Sequence, residues 1–550
     1  MSNRISTAAL FSLAVILILA LNLSIANTAG IESLKYQPVF VSAAGSSPVK
    51  CQITETSQRI QLSFEVNGLT STADHDGLRW RLENEGVIGH EGAPDLPAIS
   101  RWVRLPDRGS IHLSYDANDL QRIPGSPPAL YHDEQTESGS DDFSRPRRLK
   151  SELPVELSSP MIMRGVRVAL LTIYPLLWDE TNREYIRYGS FDIDIQAGQT
   201  PGENEVENLP RQPSRGFDRL KDALLVNPLS RDEADQLYPP GGYLVVADQD
   251  ITQEASEFVE WKRRAGHPTE LLTFEAGINA QQLKALIQER YDDTGFEFLV
   301  MLGNEDADPP LCLPLSENNN QFYDVFFAQL EGDDMLPEVA VGTFNCQTVP
   351  NLICALRRAI SYQSNPYFEN TDWFTRAGVG VGACSVPDDL SPSYTGKWVA
   401  EVLGREGFNE ITTSYFSDNE ENDPSRMVED LYNQRTNFIL VRAHEWDLQV
   451  DNIQVTGVYP FHFLCSSGTI SPPSSGAFNW AFRQGTPDQM KGPSAGFGHY
   501  SSPRTNVANA LAGGLMESMF LFDIGSYGWA RNYTVGNLAR VMVEDGVALM

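Results

Sequence analysis

GGYLVVADQDITQEASEFVEWKRRAGHPTELLTFEAGINAQQLKALIQERYDDTGFEFLVMLG, residues 241–303, holds the decision about the fold. Tyr243-Leu-Val-Val-Ala247 is a short apolar run of the kind that forms a buried strand. Ile251 to Ala265 has helical spacing, with Gly266 as its stop. Thr269 to Phe274 reads as the next strand and Asn279 to Asp293 as the next helix. Phe296-Glu-Phe-Leu-Val-Met-Leu302 then returns to strand and ends at Gly303. Alternation of this kind predicts a parallel sheet covered by helices, because parallel neighbours need a helix-length crossover. Further strands are expected at Val339-Ala-Val341, Gly378-Val-Gly-Val381, Asn437-Phe-Ile-Leu-Val441 and Phe461-His-Phe-Leu464. Residues 238–550 are therefore expected to form an α/β unit, in two subdomains over about 238–372 and 373–550.

Upstream the character differs. Residues 31–196 read as β-rich: Ile60–Val66, Val166–Ile173 and, in part, Phe191–Ile195 alternate apolar and polar positions between turn residues. No amphipathic helix of useful length interrupts them, so a sandwich or barrel-like domain is expected. Glu134 to Arg148 is a charged stretch without periodicity, expected as an exposed loop. Residues 197–237 read as a linker, and Arg211 and Arg215 are its candidate maturation positions on exposure and polarity alone. At the N-terminus, Arg4 precedes an apolar run from Ala8 to Leu23 and the small-x-small exit Ser24-Ile25-Ala26. Residues 1–26 thus have the form of a secretory signal peptide, which predicts a secreted, extracellular protein.

Among the 550 residues, 41 are basic and 73 acidic, a net charge of −32. Such a surface repels phosphate backbones and anionic membranes, which argues against nucleic acid as a partner. No stretch after the signal peptide reaches about 18 apolar residues, so no integral membrane segment is expected once it is removed. The six cysteines, at 51, 312, 346, 354, 384 and 465, include no CxxC pair. That spacing disfavours a zinc knuckle, and export makes disulfides the simplest use of those other than Cys465.

Chemistry in open α/β sheets gathers beyond the strand C-termini. His444 follows the strand ending at Val441, and Cys465 follows the strand ending at Leu464. If those strands are neighbours, thiol and imidazole emerge at one sheet edge, as a cysteine hydrolase requires. Ser466-Ser467-Gly468 reads as a small-residue turn that lets substrate approach the sulfur. Against this stands the simpler reading of Cys465 as a buried strand-end cysteine. His462 belongs to the opposite face of its strand, His499 lies in a Gly-rich turn and is the better rival base, and His267 is expected at the surface. A serine hydrolase using Ser466 or Ser467 lacks a G-x-S-x-G elbow.

Several segments resemble the gingipains, cysteine peptidases with a caspase-like sheet. Leu299-Val-Met-Leu-Gly303 with Pro309-Pro310 is similar to a family strand and the Pro after it. Phe322-Tyr323, Glu331-Gly-Asp-Asp334 and Pro337-Glu-Val-Ala-Val-Gly342 follow in the family's order, then the helix from Arg357 to Pro366. Ala443-His444 falls where the family has Gly-His-Gly, and Pro460 to Gly468 where it has an apolar strand, the Cys and a small turn. Asn506 to Phe520 resembles the helix after its Gly-rich strand. Gly92-Ala-Pro-Asp-Leu-Pro-Ala98 and Val103-Arg-Leu-Pro106 look like its propeptide.

The resemblance implies a caspase-like α/β catalytic domain after a β-rich propeptide, made as a proenzyme. It implies a cysteine endopeptidase acting on protein or peptide substrates, with Cys465 as nucleophile and His444 as acid/base. Backbone N–H groups of Cys465 and Glu445 would hold the oxyanion. No cofactor is required; structural calcium is a family feature, and no EF-hand-like spacing supports it here. Glu445 replaces the family Gly, Asn304 the usual Asp and Thr343 the usual Arg, while Asp388 and Asp389 are the nearest acids to a specificity position. Glu445 keeps open a second reading, an inactive gingipain-like extracellular binding or assembly scaffold.

Overall fold

The computed structural model describes residues 48–541 except 75–76, 90–91, 132–152, 230–237, several positions within 305–323, 367, 383–389, 416–423, 443–461, 470–484 and 500–504. Side chains of His462–Thr469 are likewise not described, only their backbone. The expected signal peptide and the loop from Glu134 to Arg148 lie outside the described residues.

In the N-terminal region, Arg59–Val66 buries Ile60, Leu62, Phe64 and Val66 and exposes every residue between them, the period of a half-buried strand. It is central in an antiparallel sheet with Val49–Thr56, Ser190–Ala197 and Ile111–Asn118. A second antiparallel sheet is built on Pro97–Arg104 and Val166–Ile173. Leu62, Phe64 and Ile193 of the first sheet share one core with Ile99, Val103, Leu171 and Ile173 of the second. The region is a sandwich.

The linker is less loose than its composition suggests. Ser214 caps a helix, α1 (Arg215–Leu224), by accepting from Phe217 N–H, and α1 buries Phe217, Leu220 and Leu224. Arg211, picked out for exposure, instead pairs with the buried Glu331 at 2.5 Å.

Two parallel sheets follow. In the first, β1 (Tyr243–Asp248), β2 (Thr269–Phe274), β3 (Phe298–Leu302) and β4 (Ala340–Phe344) stand in the order β2-β1-β3-β4. Helices α2 (Thr252–Arg264), α3 (Ala280–Thr294) and α4 (Val349–Ser364) belong to this half. Asn279 and Gln282 form a reciprocal capping box at the start of α3, and Gly295 ends it in the left-handed conformation, φ 57°.

In the second sheet, β5 (Arg376–Val381), β6 (Glu410–Tyr415), β7 (Phe438–Arg442), β8 (His462–Thr469) and β9 (Ala495–His499) stand in the order β6-β5-β7-β8-β9. Helices α5 (Leu390–Arg405), α6 (Pro424–Asn433), α7 (Thr505–Met516) and α8 (Tyr527–Val541) complete it. The architecture is thus a parallel-sheet α/β unit with flanking helices after a β-rich region. Among the described residues no helix is long and apolar enough to cross a membrane.

Candidate active site

β7 is buried along its whole length, from Phe438 to Arg442, as a central strand covered on both faces must be. Its last residue is anchored twice. Arg442 O accepts from Gly382 N–H at 2.9 Å, and the buried Arg442 guanidinium donates from Nε to Asn509 Oδ1 of α7 at 3.3 Å. β7 therefore ends at a fixed point, two residues before His444 in the sequence.

β7 and β8 are neighbours, paired in parallel from Phe438 opposite His462 to Val441 opposite Cys465. β8 does not stop at Leu464 as the sequence suggests. It runs through Cys465, Ser466, Ser467 and Gly468 to Thr469, so the expected small-residue turn is strand. The reason is a second ladder. β8 pairs β9 with Leu464 opposite Phe497, and pairing resumes only at Thr469 opposite His499. Residues 465–468 of β8 thus face a single residue, Gly498, in the neighbour. Such a bulge frees its extra residues from the ladder, and bulges of this kind are common beside active sites. His499, expected in a turn, is the last residue of β9.

His444 and Glu445 lie outside the described residues, as do Asp388 and Asp389. On the first sheet, Asn304 and Thr343 stand at the corresponding C-terminal edge. The buried Asn304 side chain donates to Asn345 Oδ1, and Thr343 Oγ1 donates to Asp324 Oδ2 at 3.5 Å. His267, expected at the surface, is partly buried: its Nδ1 is 2.8 Å from Gly241 O and its ring meets Tyr243 edge-on at 4.9 Å. Cys51 is a free thiol that burial pushes up to about 11, which makes it a poor nucleophile.

The sequence model of Peptidase family C25 matches residues 236–444. Over that segment the chain is similar to peptidase family C25. The C25 segment thus begins just before β1 and ends on the candidate histidine, with Cys465 beyond it. Gingipain R2 of Porphyromonas gingivalis is 22% identical over 353 residues, 60% of this chain and 47% of the relative. Lys-gingipain of the same organism is 21% identical over 335 residues, 55% of this chain and 19% of the relative. The chain spans about half the length, or less, of the curated relatives it matches. Among solved structures, the Arg-specific cysteine proteinase gingipain R is similar with a TM-score of 0.45 and 16% identity, over 57% of this chain and 74% of that one.

Among the described residues no three or more His, Cys, Asp or Glu side chains converge as a site for calcium.

The residues that sequence reading missed lie at the other end of the C25 segment. Arg164 belongs to the β-rich region, yet its buried guanidinium donates to the carbonyls of Gly295, Phe296, Gln212 and Glu338, each at 3.0 Å. Its backbone has φ 44° ahead of Gly165 at φ 74°. The Arg-Gly pair between Met161–Met163 and Val166–Ile173 was the available signal, since an Arg in a tight hairpin is ordinarily a solvent residue.

Proposed function

We propose that the chain is a secreted cysteine-type endopeptidase, made with its β-rich region as a propeptide, in which Cys465 attacks the scissile carbonyl. His444 takes the thiol proton and returns it to the leaving amine. Backbone N–H groups of Cys465 and Glu445 receive the oxyanion, and water then releases the acyl group from sulfur.

The observation that carries this reading is the pairing of Val441 with Cys465. Adjacent strands lie about 4.8 Å apart. From Val441 to His444 the chain spans at most about 10 Å. That reach is long enough to let an imidazole meet a thiol on the neighbouring strand. The bulge over residues 465–468 interrupts the ladder to β9 beside Cys465, where an oxyanion needs donors. The C25 segment supplies the chemical class. Protein or peptide chains are the substrates, and the apolar N-terminus from Ala8 to Leu23 supports export.

Glu445 favours a second reading, an inactive extracellular scaffold. A carboxylate beside the thiol raises its pKa and disfavours an oxyanion. Alkylation of the secreted protein with iodoacetamide at neutral pH, mapped by mass spectrometry beside cleavage of a mixed peptide library, separates the two. Preferential labelling of Cys465, with both labelling and cleavage lost in His444→Ala, supports the peptidase. An unlabelled Cys465 and an uncut library leave the scaffold.

A further inference from the structure

Glu331, Asp333, Asp334 and Glu338 crowd into the short segment between Ala328 and β4. Glu338 is fully buried. Its Oε2 accepts from Leu330 N–H at 2.5 Å and from Glu331 N–H at 3.0 Å, which folds the segment back on itself. Its Oε1 has no hydrogen-bond partner among the described residues. Asp334 reaches the other way. Its Oδ1 accepts from Leu336 N–H at 2.9 Å, and its Oδ2 from Ile162 N–H of the β-rich region at 2.7 Å. Asn204 joins that contact, donating from Nδ2 to Asp334 Oδ2 at 3.3 Å and accepting from Asp333 N–H at 2.8 Å. The Glu338 carboxyl thus holds the turn closed, and the Asp334 carboxyl fastens it to the β-rich region.

The charged and titratable groups around these two carboxyls are Glu331, Asp333, Tyr291, Lys284, Arg164 and Arg211. The cations are engaged elsewhere. Arg211 forks onto Glu331 at 2.7 and 2.5 Å, and Tyr291 donates to the same carboxylate at 2.5 Å. Arg164 spreads over four backbone carbonyls, and the Lys284 amine lies 4.2 Å from the Phe326 ring centre. Burial therefore dominates at both carboxyls, and the negative charges of their neighbours add to it. Both influences favour the protonated acid. Asp334 is held up at about 6, and Glu338 well above its ordinary range. An opened turn returns them to water, where they ionise near their ordinary 3.8 and 4.5. The closed form thus keeps protons that the open form gives up. Its advantage is full below about 3.8 and is lost as pH rises through about 6.

We propose that residues 330–338 form a proton-operated latch, which closes on Ile162 and Asn204 of the β-rich region in acid and opens locally toward neutrality. The latch is a device of these residues alone and does not depend on the peptidase reading. It makes one contact between the β-rich region and the α/β domain responsive to the surrounding medium.

Hydrogen exchange of the full chain, resolved to single residues by mass spectrometry and corrected for intrinsic exchange at each pH, tests the latch. The amides of Ile162, Leu330, Glu331 and Leu336 donate to the two carboxyls and report on it directly. Those of the interior strand β1 are the reference. A proton held by the closed form alone changes the opening constant about tenfold per pH unit across its window. From pH 4 to 6 the four amides should therefore lose at least about tenfold in protection relative to β1. Asp334→Asn should flatten part of that fall and Glu338→Gln a further part; where Glu338→Gln fails to fold, the parent and Asp334→Asn decide. Protection that stays constant or rises from pH 4 to 6 in the parent overturns the proposal. An unchanged fall in Asp334→Asn overturns it too, because the carboxyl that fastens the turn to Ile162 would then play no part.

Discussion

Val441 of β7 stands opposite Cys465 of β8, one residue before β7 ends. That pairing sets Val441, three residues before His444 in the sequence, beside Cys465. If His444 and Cys465 share one proton-transfer step, losing either removes the same machinery. Cys465→Ala and His444→Ala should each lower kcat/KM by about 10⁴-fold or more, and the double variant should be little worse than either single one. Peptide-library cleavage rates measure this. Losses that multiply in the double variant would show that the residues act independently.

Glu445 offers a change in the opposite direction. Glycine reaches backbone conformations closed to glutamate, and its substitution removes a negative charge beside the expected oxyanion. One oxyanion donor is worth about 100–1000-fold in rate. Glu445→Gly should therefore raise kcat/KM by at least about tenfold, a part of that range. The thiol labelling rate should rise with it, because the thiolate is also relieved. A variant no faster than the parent in both assays would remove Glu445 as the restraint.

The first parallel sheet was legible because its strands are apolar runs and its helices carry their own stops, as at Gly266 and Gly295. The second was legible only at its buried strands. β6, Glu410–Tyr415, is an edge strand with little burial, so no apolar run marks it. β8 and β9 were read short and as a turn because Ser466-Ser467-Gly468 and Gly496-Phe-Gly498 have turn composition. Their small residues sit in strands instead, where the ladder between them breaks. The candidate pair was legible in type, and the adjacency of β7 and β8 depended on a strand order that sequence does not state. The contacts between the β-rich region and the α/β domain were hidden for a different reason. Trp102 and Arg164 have partners more than 100 positions away, and no local pattern announces a contact of that range.

Arg164 makes those contacts measurable as stability. Arg164→Met keeps most of the side-chain length and removes every donor, leaving four buried or partly buried carbonyls without this partner. Unsatisfied buried polar groups cost about 1–3 kcal/mol each, and losses that share one site do not add fully. A total loss of about 3 kcal/mol or more is expected, read as a lower urea midpoint. The same change at Arg122, an exposed partner of Glu184, should cost less than about 1 kcal/mol. Equal effects at the two positions would refute a special role for the buried guanidinium.

The same contacts between the β-rich region and the α/β domain should respond to pH through Asp334. Its carboxylate accepts from Ile162 N–H at 2.7 Å and Leu336 N–H at 2.9 Å, yet burial outweighs these donors, and the charges of Asp333 and Glu331 add to it. The carboxyl is pushed from an ordinary 3.8 up to about 6. A raised carboxyl binds its proton more readily folded than unfolded. Its contribution to stability is therefore full below about 3.8 and is lost as pH rises through about 6. Buried Glu338, also raised well above its ordinary range by burial, acts in the same direction. Asp334→Asn removes one titrating group and leaves Glu338 in place. Melting temperatures of parent and variant, measured from pH 4 to 7, should lie closest at the acid end, where Asp334 is neutral like asparagine, and the parent should fall below the variant as pH passes about 6. A constant offset across that range would mean that Asp334 keeps its charge throughout and that its hydrogen bonds alone hold the hairpin to the α/β domain.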